Sequence, residues 1–288
     1  MTTLRSYKMS FQGALKNRKG IVMKMQFKRL MTLCLCLAIV LTLFPVIAPV
    51  TEANAALYNK YTTIAKVTTQ GGCNAMQGMD VDGTYIYCAK INSETETTCS
   101  IARVHKTTGE IVYLKNSATG TNYFSQLAHA NDLGVCTVNS VKTMFVGTGG
   151  AGKGDYSLVR FSFNGTTLTE VGHYNMKYNG AEKFIAGVKV VATSPTEITL
   201  VLKSGNYVFA AKIPYSSTGG DIAMEYLGKL DFSAVNFGGT IRDLSNYVVQ
   251  GFGYKDNKLF VPMTANYQTS TSHISTIVCF DIDGVKGW

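Results

Sequence analysis

Gln77-Gly78-Met79-Asp80-Val81-Asp82-Gly83-Thr84-Tyr85-Ile86-Tyr87 holds a strand, a tight Asp-Gly turn and the start of a second, aromatic-rich strand. The same order returns at Gln250-Gly251-Phe252-Gly253-Tyr254-Lys255-Asp256-Asn257-Lys258-Leu259-Phe260-Val261, with Asp-Asn in the turn. Two blurred copies lie between. One runs from Asn131-Asp132-Leu133-Gly134-Val135-Cys136 to Lys142-Thr143-Met144-Phe145-Val146, the other from Ala186-Gly187-Val188-Lys189-Val190-Val191 to Glu197-Ile198-Thr199-Leu200-Val201. A recurring two-strand unit marks radial repetition, because one small sheet cannot bury both its faces alone.

Beyond residue 55, short runs of Val, Ile, Thr, Tyr and Phe alternate with Gly, Asn, Asp and Ser clusters, so the expected fold class is all-β. The first unit reads as strands over 77–82, 85–91, 100–105 and 110–114, the second over 130–137, 143–147, 156–163 and 168–174, with Asn164-Gly165 as a hairpin turn. The third reads over 185–192, 197–203, 207–213 and 224–230. The fourth shows only three strands, 248–255, 258–263 and 275–282. The lone strand 61–68 fits the vacant place, which predicts a β-propeller of four visible blades whose ring is closed by the N-terminal strand. The units are longer than the ~40–50 residues of a typical blade, so five blades are also open, with 231–246 as the place for extra structure. A two-sheet sandwich is the rival, but it does not call for the Gln-Gly echo.

Lys24, Lys28 and Arg29 precede an apolar run, 30–50, that ends in Ala53-Asn54-Ala55. This predicts a signal peptide over 1–55, with an upstream extension before a start at Met23 or Met25, and a single secreted domain over 56–288. An uncleaved N-terminal anchor with the domain on the outside face is the alternative. Of the 27 Lys and Arg, eight lie in 1–55 beside one acid, Glu52, so 19 bases and 17 acids remain beyond it. A charge near +2 leaves no footprint for nucleic acid. Five cysteines follow the leader, and Cys88 with Cys99, on adjacent strands of one hairpin, is the candidate disulfide, against two reduced core thiols. No Cys-x-x-Cys or paired Cys and His spacing supports a metal, and no cofactor motif is present.

Gly147-Thr148-Gly149-Gly150-Ala151-Gly152-Lys153-Gly154 imitates a phosphate loop, but Gly154 replaces the magnesium-binding hydroxyl and a strand follows where a helix must begin. Asp80-Val81-Asp82-Gly83 and Asp281-Ile282-Asp283-Gly284 open like calcium loops without the twelfth-position ligand, and read as turns. The strongest polar cluster is His129-Ala130-Asn131-Asp132, at the start of the second unit's first strand, level with Gln77 and Gln250. In a propeller these starts converge. Gln77, His129, Asn131, Asp132 and Gln250 are therefore candidate ligand-binding residues at one mouth of the axial channel, or else polar groups satisfying buried backbone there. No Ser, His and acid set can be assembled, and the catalytic residues are unknown.

The Gln77–Tyr87 unit and the His129 stretch resemble helveticin J-like class III bacteriocins, a resemblance that covers most of 57–283. Where that family has His-Ala-Glu, this chain has His129-Ala130-Asn131. The resemblance implies an extracellular protein acting on the envelope of other bacteria, with no catalytic set to carry over. The first unit also resembles bacterial glutaminyl cyclases, on the strand pair and the Thr108-Gly109-Glu110 turn, but their Glu-Gly start in the next blade is Asn131-Asp132 here and Trp288 is the only tryptophan. The expected function is thus noncatalytic binding of an extracellular or cell-envelope glycan or peptide, with an antibacterial role as its sharpest form. A propeller enzyme of cyclase or glycan-processing type and a protein-interaction scaffold are the alternatives.

Overall fold

The computed structural model describes residues 62–149, 156–237, 239–249, 251–265 and 275–282. The expected leader, Gln250 and most of the glycine-rich loop lie outside them. The described residues are all-β, with one 3-10 turn at Ser125–Leu127. Strands β1 (Cys73–Val81), β2 (Tyr85–Asn92), β3 (Cys99–His105) and β4 (Ile111–Tyr113) form an antiparallel sheet in that order. Its first hairpin closes because Asp82 Oδ1 accepts the N–H groups of Thr84 and Tyr85, at 2.8 and 2.6 Å. The short β5 (Lys115–Asn116) leads to the second sheet of β6 (Asp132–Val138), β7 (Val141–Gly147), β8 (Leu158–Asn164) and β9 (Thr167–Tyr178). After β10 (Ala181–Glu182) comes the third, of β11 (Gly187–Thr193), β12 (Glu197–Ser204), β13 (Tyr207–Pro214) and β14 (Gly219–Lys229).

The second and third sheets join through a parallel pairing of their last strands, Gly219–Ala223 of β14 running beside His173–Lys177 of β9. The stretch 231–246 holds a small hairpin of β15 (Val235–Phe237) and β16 (Thr240–Arg242). The last sheet comprises β17 (Val248–Val249), β18 (Gly253–Lys255), β19 (Lys258–Thr264) and β20 (Ser275–Asp281). Asp256 and Asn257, between β18 and β19, both have positive φ, 50° and 65°, as a tight hairpin turn of the primed type requires.

The alternation of strand side chains explains how the four sheets pack in series. Tyr87, Ala89 and Ile91 of β2 meet Met144 and Val146 of β7 in the first core. Phe145, one residue out of phase on β7, faces instead Leu200 and Leu202 of β12 in the second. Val201 of β12 turns the other way, onto Leu259 and Val261 of β19 in the third. The second and third sheets are thus covered on both faces, and their middle strands read as apolar runs rather than as alternation. Truncating a ring such as Phe161 to Ala in the first core costs about 3–5 kcal/mol. At the two ends of the series some apolar side chains face outward: Met79 and Val81 on β1, and Phe260 and Ile277 on β19 and β20, are exposed.

Two expectations change here. Residues 62–69 pair as no strand and do not close a ring through the last sheet. They lie on the first sheet, where Lys90 Nζ donates to the carbonyls of Val67 and Thr68, both at 3.2 Å, and Tyr113 OH to that of Thr68 at 2.8 Å. A lysine buried on the outer face of β2 needs acceptors, and this segment supplies them. Nor do Cys88 and Cys99 meet: all five cysteines beyond the leader are free. The register sets Cys88 opposite Ala102 and Cys99 opposite Ile91, three rungs apart.

Candidate functional site

The first strands of the sheets come together, with residues 78–80 of β1 meeting the N-terminal ends of β6 and β11. β6 packs against both β1 and β11, and β11 against β18. Two glycines allow this approach: a Cβ on Gly78 would sit 2.4 Å from Asp132 Cα, and one on Gly251 would sit 2.7 Å from Asp132 Cγ. The second contact also explains why the strand expected over 248–255 is divided into β17 and β18.

Asp132 is the middle of this junction and is 1% exposed. Its Oδ1 is 2.7 Å from Lys189 Nζ, and its Oδ2 accepts the Val188 N–H at 3.1 Å. Lys189, 4% exposed, also donates to the carbonyls of Leu133 at 2.6 Å and Met79 at 3.1 Å. One ammonium group therefore ties β1, β6 and β11 together. Burial pushes the Asp132 carboxyl above its ordinary pKa, against the pull of Lys189 and the Val188 N–H. Asp80, whose Oδ2 accepts the Val135 N–H at 2.7 Å, is raised for the same reason, against the charge of Lys189.

The candidate residues separate accordingly. Asp132 is enclosed and fully engaged, so it braces the junction and does not offer its carboxylate to a ligand. His129 is half-buried, 3.6 Å from Glu96 through Nδ1, and its N–H donates to the Thr148 carbonyl at 3.0 Å. Gln77 and Asn131, each one residue before the Gly78 to Asp132 contact, carry amide oxygens that are buried without a donor among the described residues. Gln77 is the extra residue of a β-bulge, since Met76 pairs with Lys90 and Gly78 already with Ala89. Bulges of this kind re-aim a side chain out of the ladder. Gln250 lies outside the described residues.

The strand reading missed two lysines. Lys189 stands in Val188-Lys189-Val190, where alternation places it on a solvated face, yet β11 is covered on both sides at that point. Lys203, 3% exposed and opposite Gly187, donates no hydrogen bond to a described residue. Burial lowers its pKa, and the charge of Asp132 opposes that. The available signal was a lysine inside an apolar run, Leu200-Val201-Leu202-Lys203.

Burial holds the thiols of Cys88 and Cys136 protonated, each pushed up to about 11, despite the nearby charges of Lys90 and Arg160. They are poor nucleophiles in that state. Among the described residues, no group of three His, Cys, Asp or Glu side chains could hold a metal ion. No described helix is long and apolar enough to cross a membrane.

No protein-family model matches the chain, and no curated protein matches it. Among solved structures it is similar to the major allergen Mala s 1 of Malassezia sympodialis, at 14% identity and a TM-score of 0.39, over 73% of this chain and 56% of that one. It is also similar to an exo-β-1,3-galactanase from Phanerochaete chrysosporium solved with β-1,3-galactotriose, at 11% identity and a TM-score of 0.39, over 69% of this chain and 46% of that one. The chain spans about half the length of either. Likenesses at that level assign no activity.

Proposed function

We propose that the four sheets are blades of a β-propeller, and that the protein is an extracellular, noncatalytic binding module that takes a cell-envelope ligand at the mouth of its axis. The reading is supported by the convergence of the first strands on Asp132 and by the serial packing of the sheets. The observation that carries it is the pair of amide oxygens, Gln77 Oε1 and Asn131 Oδ1, buried beside that convergence without donors among the described residues. A buried acceptor left unpaired costs about 1–3 kcal/mol, and a ligand hydroxyl or amide N–H recovers it. Lys203, with no acceptor among the described residues, adds a cation to the same end of the third sheet. In its sharpest form the module is a helveticin-like antibacterial protein acting on Gram-positive cells.

The test uses residues 56–288, folded and heat-unfolded, on a panel of Gram-positive bacteria, reading both the fraction retained on cells and the viable count. The expected result is retention of the folded protein alone, reduced at least tenfold in Gln77→Ala/Asn131→Ala at an unchanged melting temperature. Retention with killing supports the antibacterial form. Retention without killing removes that form and leaves the binding module. No retention on any strain, or full retention of the double variant, overturns the mouth as the binding site.

A further inference from the structure

At the same end of the third sheet as Lys203, farther from the axis, lies a cleft of about 590 Å3 lined by Tyr178, Lys183, Ser204, Tyr207, Phe209 and Tyr226. Its volume falls in the roughly 300–1,000 Å3 range of small-molecule sites. The parallel pairing of β14 with β9 creates it, because Ala223 opposite Lys177 brings Tyr226 up to Tyr178. Phe209, buried and directly opposite Tyr226 across the β13–β14 ladder, forms the floor. The four rings are linked at centroid distances of 5.3 to 6.2 Å and are tilted to one another, a concave aromatic wall rather than a flat stack.

Among the described residues, the tyrosine hydroxyls and the lysine at the rim have no side-chain partner. Tyr87, Tyr113, Tyr174 and Tyr254 donate their hydroxyls to protein acceptors. The hydroxyls of Tyr178, Tyr207 and Tyr226 donate to no described residue, although Tyr207 and Tyr226 stand 48% and 44% exposed. Lys183 has no carboxylate within ion-pair distance among the described residues, while the neighbouring Lys177 is paired with Asp221. Aromatic faces beside free hydroxyls match a pyranose, whose C–H faces pack on rings and whose edge hydroxyls exchange hydrogen bonds. An unpaired ammonium at the rim matches an anionic substituent on that sugar.

We infer that this cleft is a saccharide-binding site selective for oligosaccharides that carry an acidic group, read by Lys183. It is a second site, and its test does not depend on the mouth. Residues 56–288 are applied to an array of neutral β-glucan and galactan oligosaccharides beside uronic-acid, sulfated and phosphorylated oligosaccharides, with proline-rich peptides as a second set. The wild-type protein is expected on the acidic sugars. Tyr207→Ala/Tyr226→Ala lowers that binding at least tenfold, and Lys183→Ala removes the preference for acidic over neutral members. Should the double alanine variant fold poorly, Tyr207→Phe/Tyr226→Phe keeps the rings, removes only the hydroxyls and is expected to lose several-fold. No saccharide bound by the wild type, binding unchanged in both tyrosine variants, or capture by the peptides alone overturns the inference.

Discussion

Two Asp–Lys pairs of nearly equal length sit in opposite electrostatic regimes. Asp132 and Lys189 are 2.7 Å apart at the junction of the first three sheets, and Asp82 and Lys142 are 2.6 Å apart between the first and second sheets. Burial dominates at Asp132 and raises its pKa. Burial also opposes ionisation at Asp82, but there the Lys142 ammonium, the Tyr85 N–H, the Tyr87 hydroxyl at 2.8 Å and the Thr84 N–H outweigh it, holding the carboxyl well below the usual carboxylate range. Burial in turn pushes the Tyr87 hydroxyl up to about 12, so it remains a donor to Asp82. An ion-pair distance alone therefore does not describe a pair; water access and the count of donors decide its worth.

The comparison is broken most sharply at Asp132. Asp132→Ala leaves the Lys189 ammonium buried without its counter-charge and is expected to cost about 3–5 kcal/mol in urea unfolding, whereas Asp132→Leu/Lys189→Met, which removes both charges, costs less than the single variant. A double variant as unstable as the single would mean that packing, not charge, holds the junction. Gly78→Ala tests the same place by volume. Its Cβ meets backbone at 2.4 Å, which cannot swing aside, so a loss of about 3 kcal/mol is expected by thermal unfolding.

Asp82→Asn is expected to cost about 1.5 kcal/mol at neutral pH. Because the folded pKa of Asp82 lies below its unfolded value of about 3.9, the stability it contributes is present above that value and lost as pH falls through it toward the folded pKa. The difference between wild type and Asp82→Asn should therefore shrink between about pH 5 and pH 2 in acid titrations of the unfolding midpoint. A constant difference would show that the carboxylate is not what Lys142 and Tyr87 hold. The smallest effect belongs to the aromatic cleft, where Tyr207→Ala/Tyr226→Ala should shift stability by about 1 kcal/mol or less, since both rings are half exposed.

Much of the fold was legible because its signals are local. Asn164-Gly165 and Asp256-Asn257 are turns set by positive φ at Gly165, Asp256 and Asn257, Asp82-Gly83 is one closed by the Asp82 side chain, and the strands between them follow from alternation. What the sequence hid is long-range. The Cys88 and Cys99 pairing fails on register, which the turn after Asn92 sets: Asn92 Oδ1 accepts the Glu94 and Thr95 N–H groups, its own N–H donates to the Thr98 carbonyl, and Ile91 is left opposite Cys99. The N-terminal segment follows Lys90 and Tyr113 rather than the vacant edge of the last sheet, a preference visible only once those side chains are placed. At the candidate site, Gln77, Asn131 and Asp132 were singled out from their place in the repeat, and Asp132, which accepts the buried Val188 N–H, fits the alternative of a polar group satisfying backbone there. Its pairing with Lys189 was hidden, because that lysine lies 57 residues away and nothing local joins them. The aromatic cleft depends on one parallel strand pairing between two sheets, which no hairpin pattern encodes.

The most direct test of the division between an enclosed brace and an open mouth is a carbon-13 NMR titration of the aspartate carboxyls in folded protein, assigned through Asp132→Asn and Asp82→Asn. The account predicts that Asp132 titrates above the ordinary value of about 3.9 and Asp82 below it. An Asp132 carboxyl that titrates at or below that value would contradict it, because its donors would then outweigh its burial, as they do at Asp82.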